Sequence, residues 1–257
     1  MSVDVTKLSS GLTVITDTMP HLETAALGGP ARLVDFTVPT GNFGDVFAGF
    51  VAKRMGLPVR WLRIAANLND ILPRTLKTGI YEVREVHAST SPSMDIQVSS
   101  NFERLLFEAS GREASVVRRL MASLKQSGRF VLPDATLAAI RREFDAGRAD
   151  ETETSAAIRA AWREAGDLVD PHTAVALAVA DRDTPDSKIP NIVLSTAHAA
   201  KFPDAVQAAC GVRPELPQWL EGLMTRAERI EVMKNDKVDV ARFVQSVSRA
   251  AKQGAAG

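Results

Sequence analysis

The chain has 257 residues, 45% of them hydrophobic and 24% charged, and its 31 lysines and arginines balance 31 aspartates and glutamates. That length suits one large domain or two small ones, the composition is globular, and a net charge of zero removes the electrostatic footprint of a nucleic-acid or anionic-membrane binder. A single cysteine, Cys210, excludes an internal disulfide and a multi-thiol metal site, and the longest apolar run, residues 174–180, is far short of the roughly 20 residues that cross a bilayer.

The first residues lack the apolar core of a signal peptide, which predicts a cytoplasmic address. Residues 3–16 read as a hairpin, with Leu12, Val14 and Thr16 alternating and Ser10-Gly11 as the turn signal. Gly28-Gly29-Pro30 marks the sharpest change of character, and a boundary is predicted there. Residues 33–38 form a β-rich run and 39–45 a glycine-bearing loop. Val46, Phe47, Phe50 and Val51 then lie on one face of a helix that Gly56 and Pro58 end. Strand 61–66, turn 67–70 and helix 71–77 repeat the unit, which argues for a parallel sheet with crossovers. Helices are expected over 102–109, 114–126, 133–146 and 155–165, stopped by Gly111, Gly128, Gly147 and Gly166. Asp170-Pro171 starts a helix through Val179, residues 191–195 return to strand, and 196–201 form a strand-exit loop. The last helix places Val240, Phe243, Val244 and Val247 on one face.

Pro39-Thr-Gly-Asn-Phe-Gly-Asp45 is the most informative segment for chemistry. Glycines let the backbone approach a ligand, and free amides at a helix start carry partial positive charge, so the loop suits a phosphate dianion. It matches neither the dinucleotide fingerprint nor the lysine-bearing nucleoside-triphosphate loop, and two glycines in a strand-to-helix turn also serve plain packing. The four histidines, His21, His87, His172 and His198, show no ligand spacing, so no metal site is predicted. His172 reads as a first-turn histidine bonded to backbone, His198 lies at a sheet edge, and Cys210 reads as a buried small hydrophobe. Asp95, Glu103 and Arg104 read as a charged cluster or a solvated helix face, and no Gly-x-Ser-x-Gly elbow is present.

Pro39-Thr-Gly-Asn-Phe-Gly-Asp45, Asn67-Leu-Asn-Asp-Ile-Leu72, the run from Ser91-Pro-Ser-Met-Asp95 to Glu108, Asp170-Pro-His-Thr-Ala174 and Leu194-Ser-Thr-Ala-His-Ala-Ala-Lys-Phe-Pro203 together resemble threonine synthase, in that family's order, from about residue 33 onward. The resemblance implies an α/β fold: an incomplete pyridoxal-phosphate fold type II, tryptophan-synthase-like, with a parallel sheet and many helices, plus the short N-terminal hairpin. It implies a pyridoxal-phosphate enzyme converting O-phosphohomoserine and water into threonine and phosphate, the cofactor ring acting as electron sink. By that likeness the amides of Gly41, Asn42, Phe43, Gly44 and Asp45 hold the cofactor phosphate, and the Thr196 hydroxyl approaches the pyridine nitrogen. Asn67, Asp70, Ser91 and Asp95 lie near the site.

The family's Schiff-base lysine stands in a Ser-Phe-Lys-Asp type motif well before the glycine loop. None of the nine lysines here follows a phenylalanine, and 38 residues precede Pro39. No catalytic residue is therefore assigned, and the reaction is expected to be impaired. The alternative is a non-catalytic phosphate- or cofactor-binding interaction protein. Ala199 replaces the proline usual in an Ala-His-Pro-Ala-Lys-Phe motif. Residues 1–28 are similar to the opening of processing-peptidase-like zinc metallopeptidases, whose His-x-x-Glu-His motif does not occur here. Two parts are expected: a leader and junction, 1–30, and a threonine-synthase-like part, 31–257. The expected partner is the small-molecule substrate, with no nucleic acid or membrane, and self-association through surface left uncovered.

Overall fold

Strand β3 (Val34–Pro39) is buried on both faces, as a strand inside a covered parallel sheet must be. In the computed structural model, which describes residues 4–7, 13–16, 32–182 and 189–248, β3 lies between β4 (Val59–Ala66) and β8 (Asn191–Val193). With β7 (Phe144–Arg148) they form a four-stranded sheet in the order β7-β4-β3-β8, every neighbouring pair parallel. Helix α1 (Gly44–Arg54) connects β3 to β4, as the repeated strand–loop–helix pattern predicts. β1 (Asp4–Lys7) and β2 (Thr13–Thr16) pair antiparallel, which agrees with the predicted hairpin. Its Ser10-Gly11 turn and the Gly28-Gly29-Pro30 boundary lie outside the described residues.

The helices follow from apolar spacing and from their stops. They are α2 (Ile71–Thr78), α3 (Phe102–Ala109), α4 (Ala114–Ser127), α5 (Asp134–Arg141) and α6 (Glu151–Ala165). Gly128 and Gly166 take the left-handed conformation that ends α4 and α6. Asp150 and Glu153 form a reciprocal capping box that starts α6 four residues earlier than the sequence pattern suggests. Helix α7 (Pro171–Ala180) is apolar on nearly all sides and accordingly buried, with Asp170 as its N-cap.

One predicted helix is corrected. Residues 133–146 are not continuous helix: α5 ends at Arg141 and β7 begins at Phe144, pairing with β4 through Leu62↔Phe144. Ile140 and Phe144 stand four apart, a helical spacing, but pairing with a buried strand overrides it. Gly147 is therefore a strand residue, not a helix stop. A Cβ there would lie 2.7 Å from Val179 Cγ1, so the glycine lets α7 approach the sheet. An antiparallel pair, β5 (Ile80–Glu82) and β6 (Arg129–Val131), was not predicted because three residues are too few to show a period. α8 (Pro203–Cys210) follows β8, and α9 (Lys237–Val247) carries Val240, Phe243, Val244 and Val247.

By internal packing the chain forms two compact units, Met1–Glu215 and Leu216–Gly257. The main core of the first is aliphatic and aromatic, from Val34, Leu62 and Ile64 of the sheet to Phe43, Phe102, Phe130 and Phe144. In the second, the described residues comprise two short 3-10 turns and α9.

Candidate functional site

All four strands of the parallel sheet point their carboxyl ends to one edge. The chain leaves β3 toward β4 and later β7, then returns to β8 on the opposite side of β3. That reversal, between β3 and β8, is where open α/β sheets hold ligands. The glycine loop leaves β3 there. Thr196 lies three residues beyond the end of β8, whose Val193 pairs with Thr37.

The loop is pinned at both ends. The Thr40 amide donates to Ala65 O at 2.8 Å, and its hydroxyl donates to Val38 O at 2.6 Å. Phe43 has φ of 71°, the left-handed region that favours glycine. Its ring is 0% exposed and packs against Phe102 at 5.3 Å and Phe144 at 5.7 Å between centroids, so core packing sustains the strained backbone. No side chain caps α1 from Phe43. The Gly44 amide donates to Asn42 Oδ1 at 2.8 Å, whereas the amides of Gly41, Asn42, Phe43 and Asp45 meet no acceptor among the described residues. Four N–H groups in one turn are thus left without a protein acceptor among the described residues, each with partial positive charge.

The segment from Ser89 to Asn101 braces this loop. Ser99 Oγ donates to Gly41 O at 2.8 Å, and Asn101 donates to Asn42 O through its amide and its side chain, each at 3.0 Å. The Ser99 amide donates to the buried Tyr81 hydroxyl at 2.8 Å. Burial pushes the Tyr81 phenol up from its ordinary value, only partly offset by that donated bond. Gly41 itself lies against Ser93: a Cβ would sit 2.6 Å from Ser93 O and 3.3 Å from Met94 Cα.

Of the predicted near-site residues, the structure brings Asn67, Ser91 and Asp95 together. Asn67 Nδ2 donates to Asp95 Oδ1 at 2.8 Å, Ser89 Oγ at 2.8 Å and Ser91 Oγ at 3.0 Å. Asn69 Nδ2 and the Ser89 amide and hydroxyl also donate to the Asp95 carboxylate. Asp95 is therefore absorbed in this network and forms no cluster with Glu103 and Arg104, which are exposed. Asp70 stands apart, paired with Arg74 at 2.8 Å and Arg148 at 3.6 Å. It lines a cavity of about 360 Å³ with Arg84, His87, Gln97 and Arg148, beside β4 and β7 rather than over residues 41–45.

The sequence reading missed Ser89, Ser99 and Asn101 as loop supports. Their signal was the density of Ser and Asn, residues that bond nearby backbone, between positions 89 and 101. His172 is bonded to backbone, as expected, but across space. Its Nε2 accepts the Ser93 amide at 3.3 Å, while Nδ1 lies 2.8 Å from Asp170 Oδ1. Asp170 also accepts from the His172 amide and from the Thr173 hydroxyl and amide. Burial alone would raise the Asp170 carboxyl, but the bonds from the His172 ring, Thr173 and the His172 amide outweigh it and hold the carboxyl below the usual range. His198 accepts the Ala200 amide through Nδ1, and Thr196 is exposed and makes no hydrogen bond among the described residues. Cys210 is half-buried, less enclosed than predicted, with its thiol directed at Val206 O. Among the described residues no group of three or more His, Cys, Asp or Glu is placed to hold a metal, and no helix is long and apolar enough to cross a membrane.

The fold is an open parallel α/β sheet with a glycine-bearing strand-to-helix turn at its switch point. Comparison with known proteins finds similarity to threonine synthases. A family model described as threonine synthase, C-terminal, matches residues 173–244. The threonine synthase of Pseudomonas aeruginosa is 44% identical over 219 residues, covering 85% of this chain and 47% of that protein. The crystal structure of pyridoxal-phosphate-bound threonine synthase from Brucella melitensis aligns with TM-score 0.79 and 57% identity, over 87% of this chain and 48% of that one. Threonine synthase from yeast aligns with TM-score 0.74 and 35% identity, over the same shares. About 85% of the chain is thus similar to threonine synthases in sequence and fold, and the chain spans about half the length of these relatives.

Proposed function

We propose that this chain has a threonine-synthase-like function: binding pyridoxal phosphate and an O-phosphohomoserine-type substrate, with the conversion to threonine and phosphate impaired in the chain by itself. The observation that carries the reading is the turn over residues 41–45 at the sheet's switch point, four of whose amides meet no acceptor among the described residues. The fit to a phosphate is specific. Gly41 has no room for a side chain, and four amides offer donors that no protein acceptor takes among the described residues. Gly41, Asn42, Phe43 and Asp45 would hold the cofactor phosphate, while Gly44 keeps the turn in shape by donating to Asn42. The Thr196 hydroxyl, free at the neighbouring strand end, would face the pyridine nitrogen.

When bound, pyridoxal phosphate supplies an aromatic ring that takes up electron density from the bond broken in the substrate. The protein's share is orientation: the Asn67–Ser89–Ser91–Asp95 network holds the 89–95 segment, and the Ser99 and Asn101 bonds hold the loop. No lysine among the nine stands in a Phe-Lys context. That absence favours impaired chemistry, and it also supports a second reading, a non-catalytic phosphate- or cofactor-binding protein derived from the same ancestor. Residues 1–30 are proposed as a separate leader similar to a zinc metallopeptidase opening, joined to a threonine-synthase-like part, 31–257, in a cytoplasmic protein.

Titration of the purified chain with pyridoxal phosphate, followed by borohydride reduction and mass spectrometry, tests this. Saturable binding that inorganic phosphate competes away, without a trapped adduct, is expected. Absence of binding overturns the cradle, and a lysine adduct with threonine release overturns the impairment.

A further inference from the structure

We propose that His172 is a positioning residue for the cradle: held by Asp170 as the neutral Nδ1–H tautomer, it fixes Ser93 against Gly41 and so sets the shape of the 41–45 turn. The functional importance of this brace rests on reading that turn as a phosphate site.

A backbone amide can only donate, so the Ser93 N–H, 3.3 Å from Nε2, requires that nitrogen to be unprotonated. The ring proton then belongs to Nδ1, 2.8 Å from Asp170 Oδ1. Asp170 is 0% exposed and His172 5% exposed, so water does not compete for either bond. Asp170 is itself immobilised as the α7 N-cap by three donors, the Thr173 hydroxyl, the Thr173 amide and the His172 amide. On its other side the imidazole packs against Phe202, with centroids 4.8 Å apart. The brace therefore runs from a helix N-terminus, through a ring with one permitted tautomer, to Ser93. The carbonyl of Ser93 closes the space at Gly41, where an added Cβ would come within 2.6 Å.

Acid acts on this arrangement in a definite direction. A second proton on His172 turns Nε2 into a donor facing another donor, and the Ser93 bond is lost. The charged groups facing the ring are Asp170 at its Nδ1 side and, beyond Phe202, the Lys201 ammonium, 5.8 Å from the Phe202 centroid. On the Nε2 side the ring's partner is uncharged, the Ser93 backbone amide.

The test uses the full chain in its wild-type, His172→Ala and His172→Gln forms. Glutamine retains an acceptor oxygen for Ser93, and alanine does not. In the wild type, imidazole ¹⁵N spectra at neutral pH are expected to show protonated Nδ1 and bare Nε2. Amide exchange at Ser93, the N–H that His172 Nε2 accepts, corrected for its intrinsic pH dependence, is expected to be about tenfold faster in His172→Ala, the change that loss of one hydrogen bond gives, with pyridoxal phosphate binding weakened alongside it. It should return to near wild-type values in His172→Gln. Lowering the pH should speed exchange at the Ser93 amide in the wild type but not in His172→Gln. It should also weaken pyridoxal phosphate binding more in the wild type than in His172→Gln, where only protonation of the ligand's own phosphate acts. Should the alanine variant fail to fold, the glutamine variant and the wild-type pH series decide. A proton on Nε2, or an identical pH response in wild type and His172→Gln, overturns the proposal. If exchange behaves as stated and neither pyridoxal phosphate nor inorganic phosphate binds, the phosphate reading falls and the brace stands.

Discussion

At Gly41 one hydrogen atom is all the space allows, and the atoms that set the limit are Ser93 O and Met94 Cα, both backbone. Gly44 is different: the nearest atom to an added Cβ is Asn42 Oδ1 at 3.0 Å, the end of a side chain that can shift by a few tenths of an ångström while still accepting the Gly44 amide. Two glycines that look equivalent in the sequence thus carry unequal loads. Gly41→Ala is expected to cost about 1–3 kcal/mol of stability, as overpacking does, and to abolish pyridoxal phosphate binding. Gly44→Ala should keep most of its stability and lose less affinity. Thermal unfolding with a binding titration on both variants checks this order, and equal effects at the two positions would refute it. Phe43 completes the loop by another route, since its left-handed backbone is held by a ring locked between Phe102 and Phe144 rather than by the absence of a side chain.

Among elements, the short ribbon of β5 and β6 has an importance out of proportion to its length. Tyr81 of β5 stacks on Phe130 of β6 at 4.7 Å and on Phe102 of α3 at 5.5 Å, and its hydroxyl accepts the buried Ser99 amide. Ser99 in turn holds Gly41 O. Tyr81→Phe keeps both stacks but leaves the Ser99 N–H without an acceptor, so a loss of about 1–3 kcal/mol is expected in denaturant unfolding, with weaker pyridoxal phosphate binding. A Tyr81→Phe protein as stable as wild type would show that water satisfies that amide. None of this was legible in the sequence, because a three-residue strand has no period and its partner lies far along the chain. What was legible has local causes. β3, β4 and α1 follow from runs of apolar residues, the ends of α4 and α6 from glycines, and the start of α7 from Asp170-Pro171. The turn over 39–45 could be read because glycines between a strand and a helix are a local signal. Its supports could not, since Ser93 and Ser99 meet Gly41, and His172 meets Ser93, only after the chain has folded. β7 was lost to helix for the same reason: Phe144 obeys its partner strand, not its neighbours in sequence.

Over the whole molecule, apolar side chains are partitioned unevenly between the two units. The first buries its large hydrophobes in contiguous clusters, whereas the described residues of the second expose Trp219 at 77%, Met224 at 78% and Val232 at 91%. Helix α9 shows the same imbalance. Val240, Phe243, Val244 and Val247 recur at the spacing that makes one face, and the three valines of that set are exposed. An amphipathic helix whose apolar stripe meets water gains by covering it, at about 25 cal/mol per Å² removed from solvent. The zero net charge of the chain supplies no long-range repulsion between copies. Concentration-dependent self-association is therefore expected in sedimentation velocity, persisting at high salt because the attraction is apolar. The double substitution Val240→Ser with Val244→Ser should shift the protein toward monomer, lower its binding of a hydrophobic dye and leave pyridoxal phosphate affinity within about twofold, since neither residue lies in the first unit. A wild-type chain that sediments as a monomer at every concentration, or a double variant that associates as strongly, would show that this stripe does not drive association.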